Sequence, residues 1–203
     1  MLRDTIITDT VVIMQNDLTL ITLVGMPGAG KSTCVKYLEE KGVPSVYFGG
    51  ITIDEVKARG LEVTEKNEKI VREDIRAKEG LGAYAKRIIK KIEALSSAGH
   101  KTIVVDGLYS WTEYKVFKET FKQSAVIVAI VAPRALRHQR LSTRPVRPLT
   151  DEEVTSREYA EIENLEKGGP IANADYTLVN NSTKQDLLQQ FDTVLQNLDI
   201  SLS

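Results

Sequence analysis

The sequence predicts an α/β fold of three layers: a mostly parallel five-stranded sheet with helices on both faces and a helical lid. Three observations lead there. Apolar, β-branched runs alternate with helical patterns along the chain, as parallel strands joined by crossover helices require. The run Leu18 to Val24 leads straight into Gly25-Met26-Pro27-Gly28-Ala29-Gly30-Lys31-Ser32, after which a helical pattern begins. The run Ala125 to Val131 is continuously apolar, as suits a strand covered on both faces. With 203 residues, 42% hydrophobic and 27% charged, the chain can build one core of this kind.

The elements follow in order. Residues 1–17 form an N-terminal extension, in which Thr5 to Met14 could be an extra edge strand and Asn16-Asp17 a turn. Residues 18–203 form the domain. After the first strand a helix runs from Lys31 to Lys41, ended by Gly42 with Pro44 beyond. Val43 to Phe48 is a short strand, followed by Gly49-Gly50. Thr52-Ile53-Asp54-Glu55 has the capping-box pattern and opens a helix to Arg59, stopped by Gly60. Helices over Thr64 to Lys78 and Ala83 to Ser97 are separated by Gly80 and Gly82. Lys101 to Asp106 is a strand. Ser110-Trp111-Thr112-Glu113 caps a helix to Lys122, and Pro133 sits at the first turn of a helix to Thr143. Arg144 to Pro148 is a break, Thr150-Asp151-Glu152-Glu153 caps a helix to Glu166, and Gly168-Gly169-Pro170 breaks again. Tyr176 to Val179 is the last strand and Thr183 to Leu198 the last helix. The helical stretch over about 50–98 is an insertion on the acceptor side of the sheet, and about 137–166 is the lid.

Composition narrows the function classes. A net charge of −1 supplies no general attraction to nucleic acid or anionic membrane. No apolar run approaches the roughly 18 residues that a bilayer span needs. The start lacks a basic segment followed by an apolar one, so a cytoplasmic setting is expected. The single cysteine, Cys34, excludes an internal disulfide and reads as a small core residue.

The spacing Gly, four residues, Gly-Lys-Ser is the P-loop pattern, and it stands in the strand–loop–helix context that the motif needs. Gly25, Gly28 and Gly30 allow backbone angles that other residues resist. The loop, through Gly25, Pro27, Gly28, Ala29, Gly30, Lys31, Ser32 and Thr33, can then curl around phosphates at a helix N-terminus. Lys31 neutralises β/γ oxygens and Ser32 offers a hydroxyl to Mg²⁺. Asp106 ends a strand beside Gly107, where open α/β sheets bind ligands. It can join the Mg²⁺ shell or hydrogen-bond an acceptor; its bland alternative is a turn cap.

Thr120 to Thr150 contains no Asp or Glu, yet holds Arg134, Arg137, Arg140, Arg144 and Arg147. Arg137, Arg140 and Arg144 share a helical face at i, i+3, i+7. Arg140 and Arg144 suit the spreading of phosphoryl charge, with Arg157 a further candidate. Pairing with Asp151, Glu152 and Glu153 is the competing reading, strongest for Arg134. No aromatic residues interleave the cluster, which speaks against nucleic acid. Arg72 and Arg76 share a face of the inserted helix and could hold an acceptor phosphate, or pair with Glu68, Glu73 and Glu79. Tyr109 and Trp111 could line an acceptor pocket or serve the core. His100 and His138 lack a metal-ligand pattern and read as surface residues.

Together these residues resemble the adenylate-kinase-like P-loop kinases, and within them the uncharacterised nucleotide-kinase-related family. The resemblance covers about Leu18 to Leu198. It rests on the P-loop, Arg59-Gly60-Leu61-Glu62-Val63-Thr64, Arg76 with Glu79 to Arg87, Val104-Val105-Asp106-Gly107, and Ala174 to Asn181. The last segment also resembles the end of dephospho-CoA kinases. The resemblance implies lid roles for Arg140 and Arg144, an acceptor-facing Arg76, and a nucleobase beside the backbone from Asn180 to Ser182. One departure concerns the acceptor: the family pattern after the second strand is Gly-Asp with Arg three residues later, and here Gly49-Gly50 and Ile53 stand there.

The expected activity is transfer of the γ-phosphoryl of Mg·ATP to a small phosphorylated or hydroxylated metabolite, first a nucleoside monophosphate, next dephospho-CoA. The rival from another class is an ATPase switch read by a protein partner. The sequence leaves the acceptor, base preference and oligomeric state open.

Overall fold

Five strands form one parallel sheet: β1 (Thr19–Val24), β2 (Ser45–Tyr47), β3 (Thr102–Asp106), β4 (Ala125–Val131) and β5 (Tyr176–Val179), in the spatial order β2-β3-β1-β4-β5. The computed structural model describes residues 17–146 and 148–200. The edge strand expected over Thr5 to Met14, and Arg147, lie outside them. The helices are α1 (Lys31–Glu39), α2 (Phe48–Ala58), α3 (Glu65–Glu79), α4 (Ala83–Ser97), α5 (Trp111–Phe121), α6 (Arg134–Thr143), α7 (Asp151–Glu163), α8 (Gly168–Ala172) and α9 (Lys184–Asn197).

The period-2 geometry of the strands sorts the core into two layers. Leu20, Val24, Ile103, Val105 and Ile127 face α2, α3, α4 and α5, whose contributions include Phe48, Ile75, Tyr84, Ile88 and Phe117. Ile21, Leu23, Val104, Val128 and Ile130 face α1 and α9, meeting Leu38, Leu187 and Phe191. Cys34 lies in this second layer, and burial, then the Asp192 charge, pushes its thiol up to about 12. It is an inert core residue, as expected.

The register brings the carboxyl ends together. Leu23 of β1 and Tyr47 of β2 both lie opposite Asp106 of β3, and Val131 of β4 lies opposite Val179 of β5. From β1 the chain goes to the edge at β2, returns to β3 beside β1, and then crosses to β4 and β5 on the other side, so the connections diverge at the carboxyl end of β1, where α/β sheets bind ligands.

Two local signals are overridden. The capping pattern at Thr52 does not start a helix; α2 begins at Phe48 and includes Gly49-Gly50. Burial of Phe48, Ile51 and Val56 along one face draws the helix start forward. Gly49 makes room for Tyr47, whose ring would lie 2.3 Å from a Cβ there. Thr52 is instead interior, its hydroxyl 2.7 Å from that of Tyr84, while Glu55 accepts from Arg59 and Arg87. Likewise Gly168-Gly169-Pro170 does not break the chain but forms α8. A Cβ on Gly169 would meet the Trp111 ring at 2.7 Å, so only glycine lets α8 lie this close to α5. The capping boxes at Ser110/Glu113 and Thr150/Glu153 form as expected.

Thr52→Val removes one partner of a buried pair and leaves the Tyr84 hydroxyl unsatisfied. We expect a loss of about 1–3 kcal/mol in denaturant unfolding, with helix content unchanged by circular dichroism.

Candidate active site

The site starts from the turn between β1 and α1. Gly25 (φ 144) and Gly30 (φ 109) hold angles in the region that favours glycine, and both are crowded as well. A Cβ at Gly25 would stand 2.3 Å from the Ile130 carbonyl oxygen, and one at Gly30 2.2 Å from the Asn180 amide nitrogen. The loop closes on itself through Ala29 N–H to Met26 O at 3.1 Å. Gly30 is the N-cap of α1; no side chain caps that helix and no acidic residue occupies its first turn. Its N–H groups therefore present a position for an anion. Ser32 is exposed at this helix start.

The Lys31 amine folds back over the loop and donates to the carbonyl of Gly25 at 2.8 Å and Met26 at 3.4 Å. Part of its stem reaches the surface, but the amine is enclosed. Burial first, then the positive charge of Lys167, lowers its pKa from 10.5 to about 7, against the pull of Asp106 and Glu161. Asp106 shows the complementary behaviour: burial raises its pKa, while Lys31 and Lys167 oppose the rise. The two residues that the sequence singles out are thus within electrostatic reach of each other.

Lys167 and Glu161 are functional candidates that the sequence reading missed. Lys167 is 1% exposed and forms an ion pair with Glu161, itself 7% exposed. Its amine also lies 4.8 Å from the centroid of the Tyr109 ring. Burial lowers the pKa of Lys167, with Glu161 opposing. Burial by itself would raise that of Glu161, but Lys167 and Arg157 outweigh it and hold the carboxyl low. Arg157 donates to Glu161 at 3.1 Å. No spacing rule marks Lys167; the only local sign is the turn-forming Gly168-Gly169 after it.

Of the lid arginines, Arg140 comes to the loop. It donates to Gly28 O at 3.4 Å and to the Asn180 side-chain oxygen at 3.2 Å. Arg144 is the C-cap of α6, one turn on. Arg137 is buried and engaged by Glu158, with further bonds to Ala132 O and Pro27 O. Arg134 and His138 also meet Glu158, at 3.0 and 3.2 Å. For Arg134 and Arg137 the partner is therefore Glu158 rather than the acids at 151–153, in the packing of α7 on α6. His138 is correspondingly a half-buried member of this cluster rather than a surface residue, with Asp151 at 3.7 Å as its second acid. The backbone of α6 rests on the loop: a Cβ at Gly28 would be 2.7 Å from Arg137 O.

Asn180 is 6% exposed and its side chain is committed to the loop, donating to Ala29 O at 2.8 Å while accepting from Arg140. On the acceptor side, Arg76 lies over the Tyr84 ring at 4.9 Å and 3.9 Å from Glu113. Arg72 is 3.6 Å from Glu68. Glu73 and Glu79 turn to Lys69 and Arg87 instead. Glu113 is fully buried and accepts the N–H groups of Tyr109 and Ser110, while burial raises its pKa. Trp111 stacks on Tyr114 at 4.8 Å under Gly169, a packing role; Tyr109 meets Phe48 edge-on and faces Lys167. Among the described residues no group of three or more His, Cys, Asp or Glu could hold a metal ion, and no helix is long and apolar enough to cross a membrane.

Fold and site define a P-loop kinase-like domain. Residues 21–164 match the AAA domain family. A UPF0200 protein of Thermococcus kodakarensis is 38% identical over 170 residues, covering 82% of this chain and 91% of that protein. One of Thermococcus onnurineus is 34% identical over 182 residues, covering 88% and 97%. The chain belongs to the UPF0200 family. Among solved structures, TT1252 from Thermus thermophilus superposes with a TM-score of 0.64 at 21% identity, covering 89% of this chain and 98% of that one. Shikimate kinase from Acinetobacter baumannii, in complex with shikimate, superposes at 0.55 and 22% identity, covering 92% and 96%. Dephospho-CoA kinase from Campylobacter jejuni does so at 0.50 and 16%, covering 89% and 97%. At these identities the likeness speaks to the fold, which is that of P-loop kinases.

Two predictions follow from the loop. Lys31 is lowered to about 7 in the folded chain, so its burial weighs most against folding below that pH and is relieved as pH rises from 7 towards 10.5. An anion on the loop restores the proton. Calorimetry of tripolyphosphate binding at pH 8, in buffers of different ionisation enthalpy, should record net proton uptake that Lys31→Met abolishes; no uptake would refute the lowered pKa. Asn180→Ala removes the brace between Ala29 and Arg140. It should cost about 1–3 kcal/mol in denaturant unfolding and weaken tripolyphosphate binding as well.

Proposed function

We propose that the protein is a Mg·ATP-dependent phosphotransferase whose acceptor is a small metabolite, in the first instance a nucleoside monophosphate, acting in the cytoplasm. The observation that carries this reading is the glycine loop that ends in an uncapped helix N-terminus, with the Lys31 amine folded over the loop and Asp106 at the end of the neighbouring β3. The residues present fit a nucleoside triphosphate. Gly25, Gly28 and Gly30 leave three positions of the turn without a Cβ, the first turn of α1 carries no competing acid, and the enclosed Lys31 amine donates to the carbonyls of Gly25 and Met26. Ser32 and Asp106 suit Mg²⁺, which keeps waters and takes most protein-side help from one or two oxygens plus the phosphates. Bound there, Mg²⁺ would offset the charge on the β/γ oxygens.

The chain's own groups then have distinct tasks. The backbone from Gly28 to Thr33 orients the phosphates, and Lys31 carries positive charge to the β/γ bridge. Asp106 would help hold Mg²⁺ or accept a hydrogen bond from the acceptor. Arg140, held over the loop by Asn180, stands on the lid side of the phosphates, with Arg144 one turn on. Arg76, stacked on Tyr84, supports an anionic acceptor on the opposite side, with Arg72 on the same helix face. Gly50 lies in the first turn of α2 and Ile53 follows in the same helix, so the charged groups of the family pattern are missing from this wall. The acceptor is therefore read by Arg76 and its neighbours.

The test is ADP release from Mg·ATP with a panel of nucleoside monophosphates, dephospho-CoA or no acceptor, with product mass determined. One nucleoside monophosphate should raise the rate well above the no-acceptor tube, and Lys31→Ala should lower it on the order of 10²-fold. Stimulation by dephospho-CoA alone would move the acceptor to that compound. Equal hydrolysis in all tubes, lost in Lys31→Ala, would overturn transfer and favour an ATPase read by a protein partner.

A further inference from the structure

Lys167 is a buried cation for which the roles assigned above have no use. Desolvating an ammonium costs several kcal/mol, and a buried ion pair rarely repays more than it loses. A structural pair in this place would be matched or bettered by two apolar side chains of similar volume. The surrounding geometry shows a lysine directed inward by the backbone. Glu166, before it, holds a positive φ of 51° although it is not glycine. This is the left-handed turn that closes a helix C-terminus, as Asp199 does after α9, and it turns the chain inward at Lys167. The Lys167 N–H is tied back to Glu161 O at 3.1 Å, and Gly169 lets the following helix lie against Trp111.

The amine lies towards the end of β3. It sits over Tyr109, whose ring lies 2.9 Å from where a Cβ on Gly107 would stand, and Gly107 follows Asp106. Its charge acts on both Lys31 and Asp106. Lys31, Lys167 and Arg157 facing Asp106 and Glu161 leave one positive charge in excess, and a polyanion is what balances it. Glu161 is also held by Arg157 at 3.1 Å. If Lys167 leaves, Glu161 keeps a partner and no carboxylate is stranded, so the exchange avoids the usual cost of breaking a buried pair.

We propose that Lys167 is the second lysine of the phosphate site: it binds the terminal phosphoryl group of a nucleoside triphosphate, and Glu161 is the counter-ion that it leaves to do so. This rests on the nucleotide-binding reading above, but not on transfer to any acceptor. Lys167 then distinguishes a triphosphate from a diphosphate, and its movement from Glu161 reports that the terminal group is in place.

The test is equilibrium binding of Mg·ATP and Mg·ADP to the full chain and to Lys167→Met, which keeps volume and removes charge. Mg·ATP should bind about tenfold more weakly to the variant, the loss of one hydrogen bond to a charged group, with Mg·ADP within about twofold. Lys167→Arg should recover most of the difference. If a folded Lys167→Met changes both affinities equally or neither, Lys167 is a packing cation and the proposal falls. It falls equally if the parent chain binds the two nucleotides alike. Should Lys167→Met show no cooperative thermal transition, Glu161→Gln decides. Releasing Lys167 from its counter-ion should raise the ATP-to-ADP preference severalfold, and an unchanged preference overturns the proposal. Because the measurement is binding, it is read whether or not any acceptor is phosphorylated.

Discussion

The passage of the backbone from β1 into α1 is the constraint on which the rest depends. It must turn within a few residues, under the Ile130 carbonyl on one side and the Asn180 amide on the other, and neither neighbour leaves room for a Cβ at Gly25 or Gly30. That crowding links distant parts of the chain. β4 supplies Ile130, the segment after β5 supplies Asn180, and α6 lays its backbone over Gly28. The loop is thus held by the sheet's second half as well as by its own bonds, which is how a glycine-rich segment keeps one shape despite its conformational freedom. Arg140 is positioned by the same brace, since its guanidinium meets both Asn180 and the loop.

Electrostatics gives the cleft its second property. Lys31, Lys167 and Arg157 face Asp106 and Glu161 in a partly dehydrated space, where charges act on one another more strongly than in water. The lowered pKa of Lys31 and the raised one of Asp106 have the same origin, burial that disfavours either charge. Such opposed shifts, at the start of α1 and the end of β3, are typical of sites that handle charge rather than of sites that only pack. On the lid side, Glu158 gathers Arg134, Arg137 and His138, and so fixes α7 to α6 as one unit. The basic residues of α6 therefore divide: the first turns bind α7 through Glu158, and Arg140 meets the loop.

The sequence by itself determined the fold class, the strand order of appearance, the helix starts marked by Ser110 and Thr150, and the placing of the glycine loop and Lys31 between β1 and α1 and of Asp106 at the end of β3. These were legible because each is written in a local rule: an apolar period, a side chain capping its own helix, a motif whose spacing is its geometry. Tertiary structure decided the rest. Thr52 looked like a cap and is interior, because burying Phe48, Ile51 and Val56 outweighs one hydrogen bond at a helix end. Gly168-Gly169-Pro170 looked like a break and is a helix, because the Trp111 ring needs a surface without side chains. Glu158, Glu161 and Lys167 carried no sign at all, since their roles come from charges that lie on other elements. A charge's partner is set by where helices pack, and that packing is a property of the whole core rather than of any segment within it.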